Sequence, residues 1–355
     1  MSEETSITPD ETTTSEFVMP LDPVASSLTQ KIPVARQLAV LGVLMLFIFG
    51  TACAPYIKSL LHKAVNTSAT VEKSIRNTTQ ENAMQNTKLQ ALPFSTIKVM
   101  AKSAYVWDVA NQKVLYKKNE TDVLPLASVT KLMTALVAQE ILKTKEPITI
   151  NSVSIKQDGD SGLKEGEVFD RRTLSDLVLM SSSNDGAFAL ASAAGDALIP
   201  NKGADAFVHA MNVRAKEIGL SETNYKNPTG LDISENESGA NGSARDMAFL
   251  MEYIIQNQPD ILSFTTEGTM RIKSVTGEYH DGENTNEYIN KIPGLIGSKT
   301  GYTRLAGGNL VIAFNVGLDR PIIAVVLGST QQERFTDILK LVKETQLYVG
   351  AEVLQ

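Results

Sequence analysis

The chain predicts an α+β fold: an antiparallel sheet flanked by helices, a helical subdomain, and an N-terminal transmembrane helix ahead of both. Three patterns predict it. Ser103 to Val109 and Val114 to Lys117 flank an Ala-Asn-Gln-Lys turn and read as a hairpin. A middle region follows whose apolar runs, Leu132 to Leu142 and Leu174 to Met180, have helical composition. The C-terminal part returns to strands and closes on a helix. Pro321-Ile-Ile-Ala-Val-Val-Leu-Gly328 is continuously apolar, as a central strand is. Phe335, Ile338, Leu339 and Val342 keep the i, i+3, i+4, i+7 spacing of a helix packed on that sheet.

In chain order, residues 1–36 read as a disordered acidic tail, rich in Ser, Thr, Glu, Asp and Pro. From Gln37 to Ile57 there is no charged residue across 21 positions, which matches the ~20 needed to cross a bilayer. Lys31 and Arg36 precede this run and Lys58 and Lys63 follow it, so loop charge leaves its orientation open. The run exceeds the apolar core of a signal peptide, about 7–15 residues, and predicts an uncleaved anchor. Thr51-Ala-Cys-Ala54 offers small residues for cleavage, the alternative. Gly50-Thr-Ala-Cys53 is a poor lipoprotein signal, and Cys53 reads as a small apolar residue of the span. Residues 58–95, rich in Asn, Thr, Gln and Ser, read as a polar tether. Residues 96–355 form the folded domain, expected to be a monomer.

Composition removes several classes of function. With a net charge of −7 and no long basic patch, the chain has no electrostatic reason to bind nucleic acid. One cysteine excludes an intrachain disulfide, and His62, His209 and His280 are scattered, so neither a metal site nor a His-based triad is legible. His280 sits in the turn-rich Gly277 to Gly282. No phosphate-binding G-x-x-x-x-G-K-[ST] loop appears, and no cofactor is expected.

Three short motifs carry chemistry: Ser128-Val-Thr-Lys131, Ser182-Ser-Asn184 and Lys299-Thr-Gly301. A serine hydroxyl needs a neighbouring base before it can attack. Ser128 precedes the helical run and Pro125 lies where a loop enters it. Residues three apart share a helix face, which sets Lys131 beside Ser128. A lysine acts as a base only with a depressed pKa, through burial and a neighbouring cation such as Lys299. The plainer alternative makes Ser128 a cap and Lys131 a surface residue. In the second motif, Ser182 is the candidate proton relay to a leaving amine and Asn184 the hydrogen-bonding prop of Lys131. The Ser181-Ser182-Ser183 run also suits helix capping. In the third, Lys299 and Thr300 suit a carboxylate, and Gly301 permits close backbone approach. The backbone N–H groups of Ser128 and Tyr302 are candidates for an oxyanion hole.

These motifs, in this order, resemble the serine-type D-alanyl-D-alanine carboxypeptidases, low-molecular-mass penicillin-binding proteins of the β-lactamase/transpeptidase-like superfamily. The resemblance runs from about Thr96 to about Thr345 and includes the opening hairpin Ala101 to Tyr116, Asn227-Pro-Thr-Gly-Leu-Asp232, Ser243-Ala-Arg-Asp-Met-Ala248 and Asn284-Thr-Asn286. It implies a β-lactamase/DD-peptidase-like fold and a peptidoglycan stem peptide as substrate, with β-lactams as covalent inhibitors. It also implies a location at the cell membrane with the catalytic domain on the extracytoplasmic side. Arg245 would by the same resemblance help to recognise the terminal carboxylate; the alternative is a helix-start residue paired with Asp246 or Glu252. Many relatives carry a further β-rich domain and a C-terminal anchor, whereas this sequence ends just after the predicted last helix.

The expected reaction is removal of the terminal D-alanine through an acyl-enzyme on Ser128. A class A-like β-lactamase is the first alternative and needs a Glu to activate water. Glu217 stands at a suitable sequence distance, but at an amphipathic helix end where exposure is simplest. A non-catalytic β-lactam sensor or scaffold is the second. Endopeptidase and transpeptidase activities would use the same residues.

Overall fold

The computed structural model describes residues 94–159 and 161–353. The acidic tail, the apolar run over 37–57 and the tether up to residue 93 lie outside the described residues. Among the described residues no helix is long and apolar enough to cross a membrane.

The first strands are β1 (Ser103–Asp108), β2 (Lys113–Lys118), β3 (Leu124–Pro125), β4 (Pro147–Thr149), β5 (Val168–Asp170), β6 (Asn224–Tyr225) and β7 (Ala240–Gly242). Then come β8 (Thr269–Lys273), β9 (Tyr279–Glu283), β10 (Leu295–Thr303), β11 (Gly307–Asn315) and β12 (Pro321–Ser329). The α-helices are α1 (Lys131–Ile141), α2 (Arg171–Met180), α3 (Asn184–Leu198), α4 (Gly203–Ile218), α5 (Ala244–Asn257) and α6 (Glu333–Val353).

The main sheet has five strands in the order β10-β11-β12-β1-β2, and every neighbouring pair is antiparallel. β12 stands in the middle, which explains its unbroken apolar run: both its faces are covered. Alternate residues divide between two cores. Tyr105, Trp107, Val311, Ala313, Ile323 and Val325 face the core shared with α1, α2, α3 and α5. Ala104, Val106, Leu310, Ile312, Ala324 and Val326 face the other core, closed by Phe335, Ile338, Leu341 and Val342 of α6. Period-two alternation on the strands and helical spacing on α6 thus produce the two layers directly. The edge strand β2 is largely exposed and carries Lys113, Lys117 and Lys118, charges that discourage pairing with another sheet.

The helical subdomain packs α3 against α4 very closely. A Cβ at Gly195 of α3 would sit 1.6 Å from the carbonyl oxygen of Gly203, so only glycine fits that crossing. The turn-rich segment around His280 differs from expectation. It forms the hairpin β8–β9, turning at Val275-Thr276, with His280 inside β9. His280 Nε2 lies 3.1 Å from buried Glu167 Oε1, an interaction that holds this strand to the segment just before β5.

Two close backbone approaches place the segment that carries Ser128. Residues Ala127–Thr130 form a 3₁₀ turn leading into α1, with Ala127 at φ 49°. On one side, Gly230 presses on this turn: its φ is +77° and a Cβ there would sit 1.9 Å from Ala127 O. On the other side, a Cβ at Gly301 of β10 would sit 2.8 Å from Leu126 O and 3.2 Å from Ser128 N. Asn309, directly opposite Gly301 in the β10–β11 register, is fully buried. Its Nδ2 donates to Pro125 O and Leu126 O, each at 2.9 Å, while its Oδ1 accepts from Gly328 N at 2.8 Å. The turn that carries Ser128 is therefore fastened to the sheet from beneath.

Candidate active site

Lys131 opens α1 and is wholly buried. Its Nζ lies 2.8 Å from Ser128 Oγ, 2.6 Å from Asn184 Oδ1 and 3.1 Å from Thr229 O. Two of these oxygens, an amide carbonyl and a backbone carbonyl, can only accept. A neutral amine has two N–H donors and one lone pair. Donation to Asn184 and Thr229 uses both donors and turns the lone pair toward the Ser128 hydroxyl. This is the arrangement of a base waiting for the serine proton. Burial, then the charge of Lys299, hold Lys131 well below the usual lysine range, and no carboxylate offsets them.

Each acceptor is itself held. Asn184 Nδ2 donates to Asp158 O at 2.5 Å. Thr229 lies in a loop organised by Asn227, whose Oδ1 accepts from Thr229 N, Thr229 Oγ1 and Gly230 N, while its Nδ2 donates to Leu231 O. The Asn-Pro-Thr-Gly block thereby aims one carbonyl at one amine.

The run of three serines separates by role. Ser181 Oγ donates to Leu177 O at 2.8 Å, ending α2. Ser183 Oγ accepts from Gly186 N at 3.0 Å and caps α3. Ser182, at φ 63°, is turned out of both helices, and its Oγ accepts from Lys299 Nζ at 3.0 Å. The left-handed backbone at Ser182 separates it from its two capping neighbours.

Lys299 is buried and also donates to Thr300 O at 3.1 Å. Burial, then the nearby Arg334, lower its pKa to about 7. Arg334 follows Glu333 at the start of α6, is 6% exposed, and donates from Nη1 to Gly301 O at 2.9 Å. Its Nε is buried with no hydrogen-bond partner among the described residues. Of these two buried cations Arg334 feels the carboxylate of Glu287, whereas Lys299 feels only burial and Arg334, so the pair retains attraction for an anion beside Lys299. An arriving carboxylate would restore Lys299 to its charged form, since an opposite charge at contact distance raises a lysine pKa.

The structure brings Ser128, Lys131, Ser182, Asn184, Lys299, Thr300 and Gly301 together. Tyr302 follows them on β10 with its side chain half exposed, at 50%. Arg245 is placed elsewhere. At the start of α5 it donates from its backbone N to Glu120 O and from Nη2 to Ser221 Oγ, and its Nε lies 4.0 Å from Asp246 Oδ1. None of those partners belongs to the cluster. Glu217 is likewise outside it: it pairs with Arg214 at 2.9 Å near the end of α4 and is 56% exposed. Arg334 and the Thr229 carbonyl are site groups that sequence reasoning missed. The signal for Thr229 lay in its Asn-Pro-Thr-Gly context, whereas no local pattern marks Arg334.

Beside Ser182 and Asn184 lies a cavity of about 430 Å³, walled by Gly159, Ser161, Leu177 and Ser181 on one side and by Asp281 and Glu283 of β9 on the other. It gives an extended ligand room beside Ser182 and Asn184.

Comparison with known proteins agrees with this geometry. The model of the Peptidase S11 family, D-alanyl-D-alanine carboxypeptidase, matches residues 84–331. D-alanyl-D-alanine carboxypeptidase DacF of Bacillus subtilis is 32% identical over 247 residues, covering 68% of this chain and 61% of that protein. A D-alanyl-D-alanine endopeptidase of Pseudomonas aeruginosa is 36% identical, covering 67% of this chain and 75% of its own length. Among solved structures, ampicillin-bound penicillin-binding protein D2 of Listeria monocytogenes matches with a TM-score of 0.58 at 28% identity, over 70% of this chain and 98% of that one. A point mutant of the Streptomyces K15 DD-transpeptidase matches with a TM-score of 0.64 at 25% identity, over 70% and 98%. With the family model covering most of the chain and the site built as described, this protein belongs to the D-alanyl-D-alanine carboxypeptidase family, peptidase S11.

Proposed function

We propose that this chain is a serine D-alanyl-D-alanine carboxypeptidase that acts on peptidoglycan stem peptides through an acyl-enzyme on Ser128. The observation that carries the reading is the set of partners around Lys131 Nζ, which leaves its lone pair for the Ser128 hydroxyl. Lys131 takes the proton as Ser128 Oγ attacks the carbonyl between the two terminal D-alanines. The backbone N–H groups of Ser128 and Tyr302 receive the oxyanion. Ser182 Oγ accepts from Lys299, so its own O–H is free to protonate the leaving nitrogen; Lys299 refills Ser182, and the proton that Lys131 took from Ser128 returns to Lys299 through solvent, so both lysines end as they began. D-alanine departs with that proton. Water then adds to the Ser128 ester, gives one proton back to the serine oxygen, and releases the shortened peptide as an acid.

The terminal carboxylate of such a substrate fits the anion site of Lys299, Thr300 and Arg334. Arg334 takes the place that the family resemblance suggested for Arg245. β-Lactams, which carry a carboxylate and an acylating carbonyl, would acylate Ser128 and leave slowly, because Glu217 is bound to Arg214 rather than placed to activate water. The apolar run Gln37 to Ile57 supports a single-pass membrane anchor with the domain on the extracytoplasmic side, where peptidoglycan lies. Protease added to intact spheroplasts should digest the domain; protection would refute that orientation.

Incubated with a stem pentapeptide, the protein should release one D-alanine and leave a tetrapeptide, seen by mass. After a penicillin, a single adduct should map to the peptide holding Ser128 and vanish in Ser128→Ala. Cleavage of cross-linked dimers in preference to the pentapeptide would shift the assignment to an endopeptidase.

The two lysines should separate by substitution. Lys131→Arg puts a permanent charge where the account has a neutral amine and cannot accept a proton, so acylation should fall by roughly 10²-fold or more, the scale of a lost general base. Lys299→Arg keeps the charge that its role uses and should lose less. Equal losses, read as acylation rate constants, would contradict this division.

A further inference from the structure

The loop that supplies Thr229 O to Lys131 is also joined to the end of β10, and one carboxylate makes the join. Asp232 Oδ1 accepts from Thr303 Oγ1 at 3.0 Å, and Asp232 Oδ2 accepts from Leu305 N at 3.3 Å. An ionised carboxylate only accepts, so the direction of both bonds is fixed. Thr303 Oγ1 in turn accepts from Ala306 N at 3.1 Å, which closes the turn between β10 and β11. Asp232 stands three residues after Thr229. The stretch between them is braced: Leu231 N donates to Thr229 Oγ1 at 3.2 Å, and Leu231 O accepts from Asn227 Nδ2 at 2.9 Å. Farther out, Arg304 Nη2 donates to Glu235 O at 2.8 Å, a second tie between the same two segments.

The residue just before this turn is Tyr302, whose N–H is the second candidate oxyanion donor. A Cβ at Gly301 would sit 3.1 Å from Val129 N and 3.2 Å from Ser128 N, so β10 runs against the Ser128 turn at this point. Gly301 O accepts from buried Arg334. Across a planar trans peptide the N–H points opposite to the carbonyl, so Tyr302 N–H points away from Arg334. Tyr302 is the last residue but one of β10, an edge strand paired only with β11. Strand ends are the first part of a ladder to open, so the placement of this N–H depends on what holds the turn beyond it.

We propose that Asp232 is a positioning residue: it ties the end of β10 to the Thr229 loop and so holds the Tyr302 N–H and the Lys131 amine in one frame around Ser128. The inference rests on the acyl-enzyme reading above, in which the Tyr302 N–H receives the oxyanion. Asp232 acts through Thr303 and Leu305 and needs no contact with the reacting atoms. Its carboxylate supplies two acceptors to two donors on one turn, which a shorter or apolar side chain cannot do.

The test is acylation of the full chain by benzylpenicillin, read both as a rate constant and as the infrared carbonyl band of the ester that forms. Hydrogen bonds to an ester carbonyl lower its stretching frequency, so the band reports on the oxyanion donors directly. In Asp232→Ala the band should move to higher frequency. The acylation rate constant should fall roughly tenfold, short of the roughly 10²–10³ that outright loss of an oxyanion donor costs. Thr303→Val removes one of the two bonds and leaves Asp232 in place; it should move the band the same way, and Thr303→Ser should return it. Where Asp232→Ala does not fold, Thr303→Val decides alone. An unmoved band would overturn the proposal, and a loss of rate at an unmoved band would give Asp232 a merely structural role. If the unaltered chain forms no ester on Ser128, the acyl-enzyme reading is overturned and this inference with it.

Discussion

The buried amine of Lys131 is the constraint on which the rest of the site depends. Removing an ammonium ion from water costs several kcal/mol even after relaxation, and Lys131 is fully buried with no carboxylate to pair with. A second buried cation, Lys299, raises that cost. Burial and Lys299 thus favour the neutral form, and a neutral amine asks for two acceptors and offers one lone pair. Asn184 Oδ1 and Thr229 O are the two acceptors, and Ser128 Oγ takes the lone pair. Burial that would destabilise an ordinary lysine thus prepares the base for the nucleophile.

Much of the surrounding fold serves to hold those three oxygens still. They come from separate segments: the 3₁₀ turn before α1, the start of α3, and the loop after β6. Gly230 and Gly301 let backbone press on the Ser128 turn from two sides, where a side chain would collide. Asn309 fastens the same turn to the middle of the sheet. The sheet is fixed in turn by two apolar cores that divide its alternating residues. Positioning at this tolerance is what converts proximity into rate.

The legible parts of the molecule were those encoded locally. Hairpin alternation, the apolar β12 and the spacing of α6 announced the sheet and its covering helix. The three motifs announced the residues that the structure gathers around the amines of Lys131 and Lys299. Groups whose meaning depends on distant contacts were not legible. Arg334 is 35 residues beyond Lys299, at the start of a helix chosen for its apolar face, and only the strand-to-helix return brings it to Gly301 O. Arg245 sat in a family-like block and suggested a carboxylate ligand, yet α5 directs it to Glu120 and Ser221. The roles of Ser181, Ser182 and Ser183 needed backbone angles, because all three are chemically identical and only Ser182 adopts φ 63°. The strand at His280 was hidden by two glycines: Gly277 lies in the turn and Gly282 pairs with Met270 within β8–β9.

The central claim, that Lys131 is a neutral amine in the resting protein, is open to direct observation. Lysine labelled with ¹³C at Cε reports the protonation of each Nζ by NMR, and the resonance lost in Lys131→Arg identifies the group. The account predicts a signal already in the neutral form at pH 7, titrating well below the ordinary lysine value of about 10.4. A Lys131 signal that stays in the ammonium form up to that ordinary value would contradict it.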